Sequence, residues 1–166
     1  HHQTARPHID ISGDLAGRPS LASTAMEQGR LAVNHAFDRD HALPAGQLPM
    51  AIYTIPELSY VGKTERELQD GRIDYVVGRA RFSETARGLI IGEERGFIKL
   101  LVDRTSRELL GVHIIGESAS ERVLIGQLAM NSGASVDLLA NTVFNYPTLA
   151  HCYKSAALDC LQQLQG

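Results

Sequence analysis

The sequence predicts an α+β fold: an antiparallel sheet with helices packed on one face, preceded by a strand-turn-helix segment. Three observations predict it. Short apolar runs bounded by Gly, Asp and Pro recur between residues 51 and 115, as in hairpin-linked strands. Stretches with apolar residues three and four apart fill 118–164, as in helices laid over one side of a sheet. A polar stretch with Pro44, Gly46 and Pro49 separates all of this from the first forty residues. The expected organisation is therefore 1–40, a linker at 41–49, and 50–166.

The elements follow in order. His8-Ile9-Asp10-Ile11 reads as a strand that ends at Gly13-Asp14. A Gly/Pro turn leads to a helix over 22–37, started by Pro19 or Ser20, with Leu21, Ala25, Ala32, Val33 and Ala36 as its stripe and Gly29 at a close approach. Residues 51–55 read as a strand, and 56–62 turn into the next element. Thr64 and Glu67 form the capping box of a short helix over 64–68. Residues 73–82 have strand character and 83–88 a helical turn. Ile90-Ile91, 97–102 and 109–115 are strand candidates, separated by polar turns at 92–96 and 103–108. Ser118, with Glu121 three residues on, starts a helix over 118–131 whose apolar face includes Val123, Leu124, Leu128 and Met130. A second helix covers 136–142, a turn 144–147, and a third helix 148–164.

Composition narrows the function classes. Hydrophobic residues make up 43% and charged residues 21% of 166, ordinary for a globular chain. A net charge of −3 gives no basic field for nucleic acid or anionic lipid. No apolar run is long enough to span a bilayer. Cys152 and Cys160 are the only cysteines. Eight residues place them within about 80° around a helix, yet too far apart along it for a bridge. They read as small helix-face residues in a reducing cytoplasm. No His/Cys/Asp/Glu spacing suggests a metal site. His113 reads as a sheet residue, and His35 and His41 as solvated.

Two stretches carry chemistry. A carboxylate at Asp14 stands a few residues before the N–H groups of a helix start. A carboxylate accepts from sugar-type hydroxyls, and a helix N-terminus favours negative charge. A flavin, with its polyol arm and a ring that becomes anionic, suits that pair. Near the other end, Pro147 disfavours helix at Tyr146 and fits the following first turn. Tyr146 then projects just before the helix, with His151 about one turn on. Such a turn either faces a ligand or partner, or is a plain helix start packed on its own domain.

The stretches SGDLAGRPSLASTAMEQGRLA, YTIPELSYVGKTERELQ, LLGVHIIGESASERVLIGQLAM and NTVFNYPTLAHCYKSAALDCL together resemble the C-terminal part of the flavin-dependent pyridine nucleotide-disulfide oxidoreductases. The resemblance covers 8–37 and 50–166 in the right order. It implies that 1–40 closes an FAD-binding domain and that 50–166 is the interface domain that pairs two subunits as a homodimer. FAD is then the cofactor of a longer parent and NAD(P) its substrates. Asp14 would bond the ribityl chain, and the backbone N–H groups of Leu21 and Ala22 would meet the pyrimidine edge of the flavin.

The family's last turn reaches the partner's flavin site. Its disulfide-reducing members carry a His before the Pro and a Glu four residues after it, which shuttle protons to thiols. Here Tyr146 holds the His place and His151 the Glu place. A phenol is a poor base near pH 7, and no carboxylate orients His151 at that spacing, so thiol chemistry is disfavoured. The Asn-Tyr-Pro-Thr turn is similar to the branch that passes hydride between NADPH and NAD through FAD. That branch keeps a Glu where His151 stands, so His151 departs from both groups: either its charge is retuned or, as hydride transfer between nicotinamides needs no side-chain base on this turn, it reads as non-catalytic. The glycine-rich dinucleotide fingerprint is absent. The chain is accordingly expected to be a fragment that supplies dimerisation and part of a flavin site, inactive and without bound FAD by itself. A disulfide reductase such as dihydrolipoamide dehydrogenase is the alternative, which a CxxxxC pair upstream would decide. A non-catalytic dimerisation module is the other. Neither nucleic acid nor membrane is an expected partner.

Overall fold

The computed structural model describes residues 3–17, 19–39 and 48–165. The chain forms two compact units, His1–Gly46 and Gln47–Gly166, and each is described by itself. Of the expected linker, residues 41–47 lie outside the described residues, and so does His41.

In the first unit a 3-10 turn over Gly13–Ala16 is followed by α1, Ala22–Ala36. The strand expected at 8–11 does not form. Among the described residues only a single bridge, Gln3 to Asp10, occurs there, and a lone β-prone run has no neighbouring ladder to join. α1 begins after Leu21, which is extended (φ −131°, ψ 139°) and gives no side-chain cap. Neither Pro19 nor Ser20 starts it. Its buried residues are Thr24 and Gln28, while Val33 of the expected stripe is exposed. Gly29 has open space where a Cβ would stand, so no close approach required it. Gln28 instead ties the loop to the helix, its Oε1 accepting the Gly13 N–H at 2.7 Å.

The second unit comprises β1 (Met50–Ile52), β2 (Leu58–Gly62), α2 (Glu65–Asp70), β3 (Tyr75–Arg81), α3 (Ala86–Ile91), β4 (Phe97–Asp103), β5 (Leu109–Ile115), α4 (Ala119–Asn131), α5 (Val136–Asn141) and α6 (Cys152–Gln165). The five strands form one antiparallel sheet in the order β1-β2-β5-β4-β3. Alternation along each strand sorts residues into rows. The row Val61–Val112–Leu100–Gly78 faces the core, and the next row, Tyr60–His113–Lys99–Arg79, faces the other way.

The core lies between the sheet and α4, α5 and α6. Val76, Ile98, Leu100, Val112 and Ile114 meet Val123 and Ala129 of α4 and Tyr153, Ala156 and Cys160 of α6. Burying each large aliphatic there contributes about 1.5–3 kcal/mol. Gly78 lacks a side chain for a packing reason: a Cβ would overlap the Ala156 carbonyl and Cys160 Sγ. Tyr153 is fully buried. Its hydroxyl accepts from the Gly126 N–H at 3.1 Å and donates to the Arg122 carbonyl at 2.8 Å.

Short α2 crosses the opposite face. Glu65 pairs with Lys99 at 2.6 Å and Arg79 at 3.8 Å, and Leu68 is fully buried. The Thr64/Glu67 capping box is present. Beneath α2, His113 stacks on Tyr60 (5.8 Å, 11°) with both ring nitrogens buried and without a hydrogen-bond partner. The outer edge of β3 is covered by α6. Asp159 accepts the Arg79 N–H at 2.8 Å, and Gln163 donates to the Val77 carbonyl at 2.9 Å.

Several expectations are corrected. Ile90-Ile91 is no strand but the last turn of α3, a helix capped by Thr85, whose hydroxyl accepts from the Gly88 N–H. The stretch 56–62 contains β2, which sequence reading took for a turn. Ser118 does not cap α4. It is left-handed (φ 50°) and its hydroxyl donates to Glu117. The cap comes from Glu57, whose Oε2 accepts the N–H and hydroxyl of Ser120 at 3.0 and 2.8 Å.

Candidate functional site

The turn between α5 and α6 is built from both helices. Thr142 ends α5, its N–H and hydroxyl both directed to the Leu138 carbonyl. Phe144 packs against the core. Asn145 follows, and its carbonyl accepts the Thr148 hydroxyl at 2.7 Å. The Tyr146-Pro147 peptide is cis. Tyr146 is 72% exposed, as expected for a displayed residue. His151 closes a 3-10 turn, Leu149–His151, at the start of α6. The two rings meet edge to face, with centroids 5.8 Å apart and planes at 81°. The structure therefore brings Tyr146 and His151 together. Among the described residues no carboxylate is hydrogen-bonded to His151, so the pair offers an aromatic edge and an imidazole, not a base held by an acid.

Asp14 lies in the 3-10 turn of the first unit and is exposed. Gly13 before it is left-handed (φ 73°), a conformation that glycine adopts freely. Leu21 is half-buried and its N–H donates to the Pro19 carbonyl at 3.2 Å. Ala22 is the first helical residue, where backbone N–H groups have no partner within the helix. An exposed carboxylate and an uncapped helix start fit one edge of a polyol-bearing anion. Among the described residues of this unit, buried Asp10 Oδ1 and Thr24 Oγ1 have no hydrogen-bond partner.

The apolar residues that the sequence offers on α4, Val123, Leu124, Leu128 and Met130, divide between two sides of the helix. In the structure the core side of α4 is Ala119, Val123, Gly126 and Ala129, and the two leucines, one turn apart, point outward at 42% and 70% exposure. A helix apolar on both sides belongs between two layers. That signal was in the sequence. The cysteines are inert by contrast: burial pushes both the Cys152 and Cys160 thiols up to about 12, so neither presents a thiolate. Among the described residues no group of His, Cys, Asp and Glu is arranged to hold a metal, and no helix is long and apolar enough to cross a membrane.

Comparison with known proteins gives three findings. Residues 48–157 match the family described as pyridine nucleotide-disulphide oxidoreductase, dimerisation domain. The chain is 51% identical over 164 residues to a soluble pyridine nucleotide transhydrogenase of Mycobacterium bovis, covering 99% of this chain and 35% of that protein. It is 47% identical to the protein of that name from Hamiltonella defensa, covering 98% of this chain and 36% of that one. It thus spans about a third of these relatives' length. In structure it resembles LpdA from Mycobacterium tuberculosis, with a TM-score of 0.87, 26% identity, and coverage of 95% of this chain and 34% of that one.

Proposed function

The chain belongs to the pyridine nucleotide-disulphide oxidoreductase dimerisation-domain family, and from that premise we propose that it is the pairing module of a flavoprotein that passes hydride between NADPH and NAD. The observation that carries this is the Tyr146–His151 edge contact. A phenol beside an unpaired imidazole does not make the base-and-acid couple that thiol exchange requires. Hydride transfer between nicotinamides needs no such couple. The names of the transhydrogenase relatives support the same reading.

Pairing runs through the outer face of α4. Leu124 and Leu128 supply its apolar centre, and the Tyr146 turn reaches toward the second copy. Obligate pairs commonly bury more than about 2,000 Å², more than one helix stripe supplies, so other exposed apolar residues such as Leu138 and Val143 join it. The first unit contributes one edge of an FAD site. Asp14 would accept from the ribityl hydroxyls. The N-terminus of α1 at Ala22, with Leu21 before it, would set its positive end against the pyrimidine edge, a contribution of about 0.3–1 kcal/mol to a nearby anion. FAD bound there supplies the two-electron relay between nucleotides. This chain's residues hold and polarise the ring and close the site from the partner. The cytoplasm is the compartment we assign.

Two measurements test this. Sedimentation at micromolar concentration should give a dimer for the chain and a monomer for Leu128→Asp; a monomeric unmodified chain would refute pairing through this face. The intact parent should reduce thio-NAD from NADPH with no thiol present; dependence on an added disulfide substrate would refute the hydride reading.

A further inference from the structure

We propose that Lys154 is a positioning residue, fixing where the Tyr146 turn leaves α5; the proposal rests on the reading that this turn faces a second copy. Lys154 is the third residue of α6. A cation in the first turn of a helix sits at the wrong end of that helix's dipole. The side chain does not serve its own helix. Its Nζ donates to the Thr142 carbonyl at 3.1 Å in a partly buried contact. Thr142 closes α5, and the carbonyl end of a helix is where a cation is favoured.

Thr142 is thereby held from two sides. Its N–H and hydroxyl bind back into α5, and its carbonyl is held from α6. Only Val143, Phe144 and Asn145 separate it from Tyr146. Beyond the tip, Thr148 closes the turn on Asn145. His151 and Lys154 are three residues apart, so they lie on one side of the same stretch of backbone. One side chain holds the root of the turn and the other meets its tip. The distance between those two points fixes how far Tyr146 projects. The ammonium is needed for this, because an apolar chain of equal length fills the space without binding the carbonyl.

The test compares Lys154→Met with Lys154→Arg in the full chain. The ring contact between Tyr146 and His151 is read as a nuclear Overhauser effect, and pairing by sedimentation. Lys154→Met should lose the ring contact and weaken pairing about tenfold with an unchanged melting temperature. Lys154→Arg, which can still donate, should keep both. A ring contact that survives in Lys154→Met would overturn the proposal. So would its loss in both variants, or unfolding of Lys154→Met, since either makes Lys154 a general prop. If no pairing occurs in any form but the ring contact follows the charge, the positioning role stands and the pairing surface falls.

Discussion

Replacing His113 with glutamine should remove an acid-labile share of the stability of the second unit. Burial is the main reason the ring resists protonation, and the ammonium of Lys99 beside it adds to the effect; Glu65 and Glu67 oppose it. Together these bring His113 from 6.5 down to about 4. Neither ring nitrogen has a hydrogen-bond partner to repay the desolvation of a charged ring. The sign follows directly. The unfolded chain takes up the proton near 6.5 and the folded chain only near 4, so acid favours unfolding within that window. Above it His113 is neutral in both states and contributes nothing to the pH dependence. Each tenfold in proton affinity is worth about 1.4 kcal/mol, so the whole displacement amounts to about 3 kcal/mol. His113 is only partly buried, and screening by water reduces this to about 2 kcal/mol lost between pH 7 and 4.5. Urea unfolding followed by far-ultraviolet circular dichroism at a series of pH values measures it. The parent should lose about 2 kcal/mol more than His113→Gln across that interval. Parallel curves for the two proteins would refute the account, for then the ring pays nothing for its burial.

Two further outcomes follow from the core. Gly78→Ala pushes a methyl group into the Ala156 carbonyl and Cys160 Sγ, and should cost about 3 kcal/mol, read as a drop in melting temperature. Tyr153→Phe removes the hydroxyl that bridges the Gly126 N–H and the Arg122 carbonyl; it should cost about 1 kcal/mol with no change in the denaturant slope.

Features set by neighbours in sequence were legible in it. β5 runs over 109–115 as its apolar run predicts, the Thr64/Glu67 box caps α2, and Pro147 does set Tyr146 outside α6. What failed depended on distant residues. Ser118 has the chemistry of a cap, but Glu57, sixty-three residues before its partner Ser120, takes the N-terminus of α4. Ile90 and Ile91 have strand propensity, but no strand lies beside them, and the Thr85 hydroxyl at their helix's start decides otherwise. At the turn, the Tyr146–His151 pairing was visible as spacing. Lys154 was not, because its partner is a backbone carbonyl, which no side-chain pattern reveals. The outward leucines of α4 were visible as apolar residues but not as outward ones, since a helix with apolar residues on both sides gives no direction for the core.

The cover over β3 has a consequence for assembly. Hydrogen-bonding groups along the border of a sheet invite another chain to add itself. On the β3 side, Asp159 and Gln163 already occupy such groups. Among the described residues the other border is β1, three residues long, a short template for a further strand. With α6 side chains on one border and a very short strand on the other, the sheet is a poor template for ribbon-like growth by strand addition.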